Sequence, residues 1–313
     1  MKKSLLLLMV AALVGTGATP AAAEGAAKKH PVAAKKKPPA KARKPARGKA
    51  RHAASLDDAR QIALQSSAVF VQDQSTGAVL LEKNPNAILP IASITKLMTA
   101  MVVLDAKPDL RELLAVGEED VDVLKGTRSR LKVGTLLARE EMLRLALMSS
   151  ENRAASALSR HYPGGREAFV AAMNQKALAL GLTDTRFEDP TGLTAANVSS
   201  PRDLAKMVDA AHQYPLIREF STTAEGEFTI AGRQQQFRNT NTLVKSPAWE
   251  IGLSKTGYIN EAGKCLVMQV WLNHKPTIIV LLDSWGKMTR IGDANRIKRW
   301  IESASLAQRQ SAG

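Results

Sequence analysis

Apolar residues are spaced in two ways along this chain, and the two spacings divide it into segments. From Ser67 to Lys83, two runs rich in Val, Phe and Leu flank Ser75-Thr76-Gly77, which predicts a β-hairpin. After Pro90, Ile91 to Asp105 is apolar at helical spacing, so a helix is expected to start near Ser93. Leu131 to His161 also reads as helical, with Leu136, Leu137, Met142, Leu145 and Ala146 on one buried stripe. Gly164 to Asp203 is mixed, with a turn at Asp189-Pro190-Thr191-Gly192. Leu266 to Leu272 and Thr277 to Leu282 read as strands joined by Asn273-His274-Lys275-Pro276, the second apolar throughout, as in a strand covered on both faces. An amphipathic helix is expected from Arg290 to Ile301. Strands at both ends of this body and helices between predict an α+β domain. Its sheet is mostly antiparallel, flanked by helices, with a helical lobe inserted.

The N-terminal segment differs from this body. Lys2 and Lys3 precede an apolar run from Leu5 to Val14, and Ala21-Ala22-Ala23 follows, so residues 1–23 are expected to be a cleaved signal peptide. The run is shorter than the roughly 20 residues of a membrane span. Residues 24–55 are mostly Ala, Lys, Arg and Pro without apolar periodicity, and are expected to be a disordered tail before a domain spanning 56–313.

Composition changes the picture at two points. The formal charge is +15, but the first 52 residues hold 13 of the 44 Lys and Arg and one of the 29 acids, so +12 belongs to the N-terminal segment. An exported chain meets anionic lipid head groups and envelope polymers before nucleic acid. The tail is therefore expected to serve as a plain spacer or to bind those polyanions, and no nucleic-acid partner is expected. The single Cys and five scattered His residues (His30, His52, His161, His212, His274) offer neither a disulfide framework nor metal-ligand spacing, so no metal or cofactor is expected. Cys265 is expected to be a small packed residue. The tryptophans Trp249, Trp271, Trp285 and Trp300 are expected mostly to pack the core and sheet rather than line a sugar groove.

Three short segments carry chemistry. Ser93-Ile94-Thr95-Lys96 sits at an expected helix start, where residues three apart share a face and Lys96 can take the proton of the Ser93 hydroxyl. Backbone N–H groups at that terminus can serve half of an oxyanion site. Ser150-Glu151-Asn152 follows a helical run; Ser150 could relay a proton, and Asn152 could bind a substrate carbonyl or hold Lys96. Lys255-Thr256-Gly257 lies at a strand, with two side chains for a carboxylate and a glycine that admits substrate backbone. Taken singly, each fits a capped helix end or an ordinary strand end. Their ordered occurrence points to serine acyl transfer.

The ordered set resembles that of β-lactamases and penicillin-binding proteins. Within that group the chain, from about Ser67 to Trp300, resembles the low-molecular-mass penicillin-binding proteins that act as D-alanyl-D-alanine carboxypeptidases and endopeptidases. The resemblance rests on Pro90–Thr99, Met148–Ala155, Asp189–Leu193 and Lys255–Met268, and with Tyr214-Pro215-Leu216-Ile217 it is greatest to periplasmic D-alanyl-D-alanine endopeptidases. It implies a transpeptidase-like fold and cleavage of peptidoglycan crosslinks between D-alanine and meso-diaminopimelate, with β-lactams as acylating inhibitors. It implies Ser93 as nucleophile, Lys96 as general base, Ser150 and Asn152 as relay and substrate support, and Lys255 and Thr256 as carboxylate holders. The N–H groups of Ser93 and Tyr258 would form the oxyanion hole beside Gly257, and Arg290 would be a second carboxylate anchor or else a surface helix residue.

No Glu-x-x-Leu-Asn segment of the kind that hastens deacylation in class A β-lactamases occurs between Asn152 and Lys255, so a β-lactam adduct is expected to persist. With 13 residues after Trp300, the chain is expected to lack the extra β-rich domain and anchor helix of carboxypeptidase relatives, and to be soluble in the periplasm or held only loosely by its basic tail. A carboxypeptidase with the same site, a β-lactamase and a non-catalytic binding protein are the competing readings.

Overall fold

The computed structural model describes residues 62–286 and 288–310. The expected signal peptide, the basic tail and the first residues of the expected domain lie outside them. In chain order the strands are β1 (Ser66–Asp73), β2 (Val79–Lys83), β3 (Leu89–Pro90), β4 (Leu113–Ala115), β5 (Leu136–Ala138), β6 (Val198–Ser199), β7 (Glu225–Ile230), β8 (Arg233–Arg238), β9 (Glu250–Ile259), β10 (Gly263–Leu272) and β11 (Lys275–Ser284). The α-helices are α1 (Thr95–Asp105), α2 (Arg139–Met148), α3 (Asn152–Arg160), α4 (Gly165–Ala179), α5 (Pro201–His212), α6 (Pro215–Thr222) and α7 (Thr289–Gln310).

One five-stranded sheet, in the order β2-β1-β11-β10-β9, is antiparallel throughout and draws its strands from both ends of the body, as the sequence predicts. The strand pattern explains its two covered faces. On β10, Val267 faces the helical lobe, while Leu266, Met268 and Val270 face the other way, where Ala294 and Ile297 of α7 meet them. β11 is buried on both faces and lies between β1 and β10. The β10–β11 turn is shorter than expected, because Pro276 pairs with Trp271 and leaves only Asn273 and His274 at positive φ between the strands. Asp293 of α7, fully buried, accepts from Ser66 N at 2.7 Å and Ser66 Oγ at 2.6 Å, which pins the start of β1 to the last helix.

The helical reading of Leu131 to His161 needs correction. Its first part is a turn followed by β5, which pairs with β4, and a corner at Ser149–Glu151 separates α2 from α3. Neighbours on a strand point to opposite sides, so Leu137 is buried while Leu136 is exposed rather than part of a buried stripe. Met142, Leu145 and Ala146 are buried as expected. Cys265 is buried and free, with burial pushing its thiol up to about 11, which fits a packing role. Trp249 is buried, whereas Trp285 is 77% exposed and packs no core.

Candidate active site

The chain approaches Ser93 through a tight turn. Ala92 is buried at φ +47, a conformation costly for a residue with a Cβ, and a single 3-10 turn over Ala92–Ile94 runs straight into α1. Ser93 is left partly exposed between buried neighbours. One helical turn on, Lys96 is buried completely, and its Nζ lies 2.9 Å from Ser93 Oγ, 2.7 Å from Asn152 Oδ1 and 2.6 Å from Thr191 O. Two of these partners are acceptors only. When the amine is neutral its two N–H bonds are taken by Asn152 and Thr191, and its lone pair is left facing the Ser93 hydroxyl. Burial lowers the Lys96 pKa to about 8, against the pull of Asp189 and Glu151, so about a tenth of the amine is neutral at pH 7.

Ser150 and Asn152 come from the corner between α2 and α3. Ser150 has φ +60, and its Oγ accepts from Lys255 Nζ at 2.9 Å. Asn152, at the first turn of α3, also donates through Nδ2 to Thr127 Oγ1 at 3.1 Å, which orients its Oδ1 toward Lys96. Of the two roles open to Asn152, holding Lys96 is the one this geometry displays.

Lys255, Thr256, Gly257 and Tyr258 lie on β9, an edge strand whose outer side faces the Ser93 turn. The approach is close enough to need a glycine. A Cβ on Gly257 would sit 2.9 Å from Ile91 O and 3.2 Å from Ser93 N. Lys255 is buried, and its pKa lies well below the usual lysine value because of burial, then Lys96 and Arg290. Thr256 Oγ1 donates to Thr240 Oγ1 at 2.6 Å. The Tyr258 side chain is exposed and lies under Lys264, so only its backbone can serve the site. Arg290, in the first turn of α7, donates through Nη1 to Gly257 O at 3.0 Å and Cys265 O at 3.3 Å, and its Nε is buried without a hydrogen-bond partner among the described residues. It is therefore tied to the Lys255–Tyr258 strand rather than lying on the surface.

All nine residues singled out from the sequence thus belong to one cleft. Lys96, Lys255 and Arg290 stand together there, and burial lowers the pKa of each, so a carboxylate placed beside them would offset the cost of their charged forms. Several partners had no individual signal in the sequence: Thr127, Thr240 and the carbonyl of Thr191. The Asp189-Pro190-Thr191-Gly192 turn and Glu151 within its motif were visible, without a role.

Residues 54–286 match the family described as D-alanyl-D-alanine carboxypeptidase, peptidase S11. The chain belongs to that family. Curated relatives of this S11 peptidase include the D-alanyl-D-alanine endopeptidase of Pseudomonas aeruginosa, 50% identical over 247 residues that cover 78% of this chain and 79% of the relative. The D-alanyl-D-alanine endopeptidase of Escherichia coli is 47% identical over 255 residues, covering 81% and 82%. Among solved structures, the Streptomyces K15 DD-transpeptidase superposes with a TM-score of 0.71 at 27% identity, covering 76% of this chain and 97% of that one. The transpeptidase-like α+β fold expected from the sequence is therefore the fold of this S11 peptidase.

Proposed function

We propose that this S11 peptidase is a serine DD-endopeptidase of peptidoglycan that cuts the bond from D-alanine to meso-diaminopimelate and is acylated by β-lactams. The observation that carries this reading is the buried Lys96 amine with its free direction on Ser93 Oγ. Ser93 Oγ attacks the D-alanyl carbonyl while Lys96 Nζ takes its proton. The oxyanion is held by the N–H groups of Ser93 and Tyr258. The C–N bond then breaks, the leaving amine gains a proton passed through Ser150, and water hydrolyses the Ser93 ester to return the enzyme. The carboxylate of the leaving residue lies against Lys255, Thr256 and Arg290, where it gives Lys255 a charge partner.

The test is intact-mass spectrometry of the protein with penicillin G, with the adduct mapped by digestion, followed by incubation with crosslinked muropeptide dimers. One persistent adduct on the Ser93 peptide and conversion of dimers to monomers are expected. An adduct mapped elsewhere sinks the nucleophile assignment. Release of terminal D-alanine from pentapeptides with dimers left intact replaces endopeptidase by carboxypeptidase.

The same proposal places the enzyme in the periplasm after removal of residues 1–23, with the basic segment resting on anionic envelope polymers or lipid head groups. No helix among the described residues is long and apolar enough to cross a membrane. Deleting residues 24–52 is expected to abolish binding to anionic vesicles at low salt while dimer cleavage in solution is unchanged. Equal binding by the truncated protein overturns this assignment.

A further inference from the structure

Lys96 keeps its lone pair on Ser93 only while two other groups accept its N–H bonds. One is a side chain, Asn152. The other is a main-chain carbonyl, Thr191 O, which reaches Lys96 from a distant part of the chain. A carbonyl has no side chain to aim it, so its position depends on whatever folds residues 189–194.

That group is Asp189. Its Oδ1 accepts from Thr191 N at 2.6 Å, from Thr191 Oγ1 at 3.1 Å and from Gly192 N, and its Oδ2 accepts from Thr194 N at 2.9 Å. Fully buried Asn197 ties this turn to the start of α1, donating to Asp189 O at 2.8 Å and to Thr95 Oγ1 at 3.0 Å. The peptide joining Thr191 to Gly192 is the shared element. Its N–H donates to Asp189, and its C=O accepts from Lys96. A peptide unit is planar, so fixing the N–H fixes the carbonyl, and an anion on the N–H side polarises the carbonyl into a better acceptor.

We propose that Asp189 is a positioning residue of the acylation reaction: through the planar Thr191–Gly192 peptide it aims and polarises the carbonyl that holds Lys96 on Ser93. This deepens the proposed function and rests on Ser93 and Lys96 having the roles given there. Asp189 also acts across space. The charged groups that bear on Lys96 are Asp189 and Glu151, which favour its ammonium form, and Lys255, which opposes it, with Arg290 behind Lys255 and Arg130 and Arg153 beside Glu151. Removing the Asp189 charge makes the ammonium less stable, so the neutral base is reached at lower pH.

The experiment measures the acylation rate constant of Ser93 with a fluorescent penicillin, per labelled site, across pH for wild type, Asp189→Asn and Thr191→Ala. Counting only labelled sites removes any misfolded fraction. Asp189→Asn is expected to lower the plateau by about 10- to 100-fold and move the acid limb down by about half a pH unit or more. Thr191→Ala loosens the same turn without removing charge, and is expected to lower the plateau by about threefold to tenfold with the limb unmoved. An Asp189→Asn profile whose acid limb coincides with that of wild type overturns the proposal whatever its plateau, because a residue that merely supports the fold moves the plateau alone. If Asp189→Asn does not fold, Asp189→Ser, which also removes the charge, is read in the same way, and a limb that coincides with that of wild type overturns the proposal. No label on wild-type Ser93 is a different failure, since it sinks the nucleophile assignment itself.

Discussion

The Lys96→Ala variant is expected to acylate with penicillin G about 10²- to 10⁴-fold more slowly than wild type, the range that a positioned general base supplies. A serine hydroxyl is a poor nucleophile until a neighbour takes its proton, and Lys96 Nζ, 2.9 Å from Ser93 Oγ, is the base the cleft presents to it. The pH dependence follows from the same group. Its pKa is lowered to about 8, first by burial and in spite of Asp189 and Glu151. Below that value the amine is an ammonium with no lone pair, so the wild-type acylation rate should rise with pH toward about 8 and level off above it. The variant should lose this limb along with the rate. Stopped-flow labelling with a fluorescent penicillin reads both. A Lys96→Ala rate within tenfold of wild type, with the limb intact, would assign the base to another group.

Gly192→Ala is expected to damage both stability and chemistry. Gly192 has φ +82, and a Cβ there would lie 1.9 Å from Ala92 O and 2.9 Å from Ser93 N. The left-handed conformation alone costs a residue with a Cβ about 1–2 kcal/mol. The overlap is with backbone, which cannot rotate aside, so the loop must withdraw from the Ala92–Ser93 peptide. Withdrawal takes Thr191 O away from Lys96. We expect a total loss of about 3 kcal/mol, read as a melting temperature lower by roughly 6–12 °C for a domain of this size. Acylation per labelled site should fall at least about tenfold. Melting within about 2 °C of wild type at an unchanged acylation rate would show that the loop accepts a side chain and that its close approach is not required.

Most of the proposed catalytic set was legible in the sequence because its geometry is local. Ser93 and Lys96 are three apart on a helix start, and Ser150 and Asn152 flank a helix corner, so spacing alone puts each pair within reach. The hairpin and the β10–β11 pair were legible for a similar reason, since alternation and turn residues act over a few positions. Leu136 falls outside the expected buried stripe because a single apolar run fits a helix or a short strand equally. What chose the strand was its pairing with Leu113–Ala115, a partner more than twenty residues away.

The sequence by itself thus determined the α+β class, the sign and location of the excess charge, and the three motifs that point to serine acyl transfer. The tertiary structure alone decided how these motifs share one cleft. It brought Lys255 to Ser150, tied Arg290 to the strand carrying Gly257, laid that strand against the Ser93 turn, and placed the Thr191 carbonyl on Lys96. Each of these contacts joins residues more than thirty positions apart. Such contacts arise from the close packing of sheet against lobe and from backbone groups that every residue carries, so no local pattern announces them.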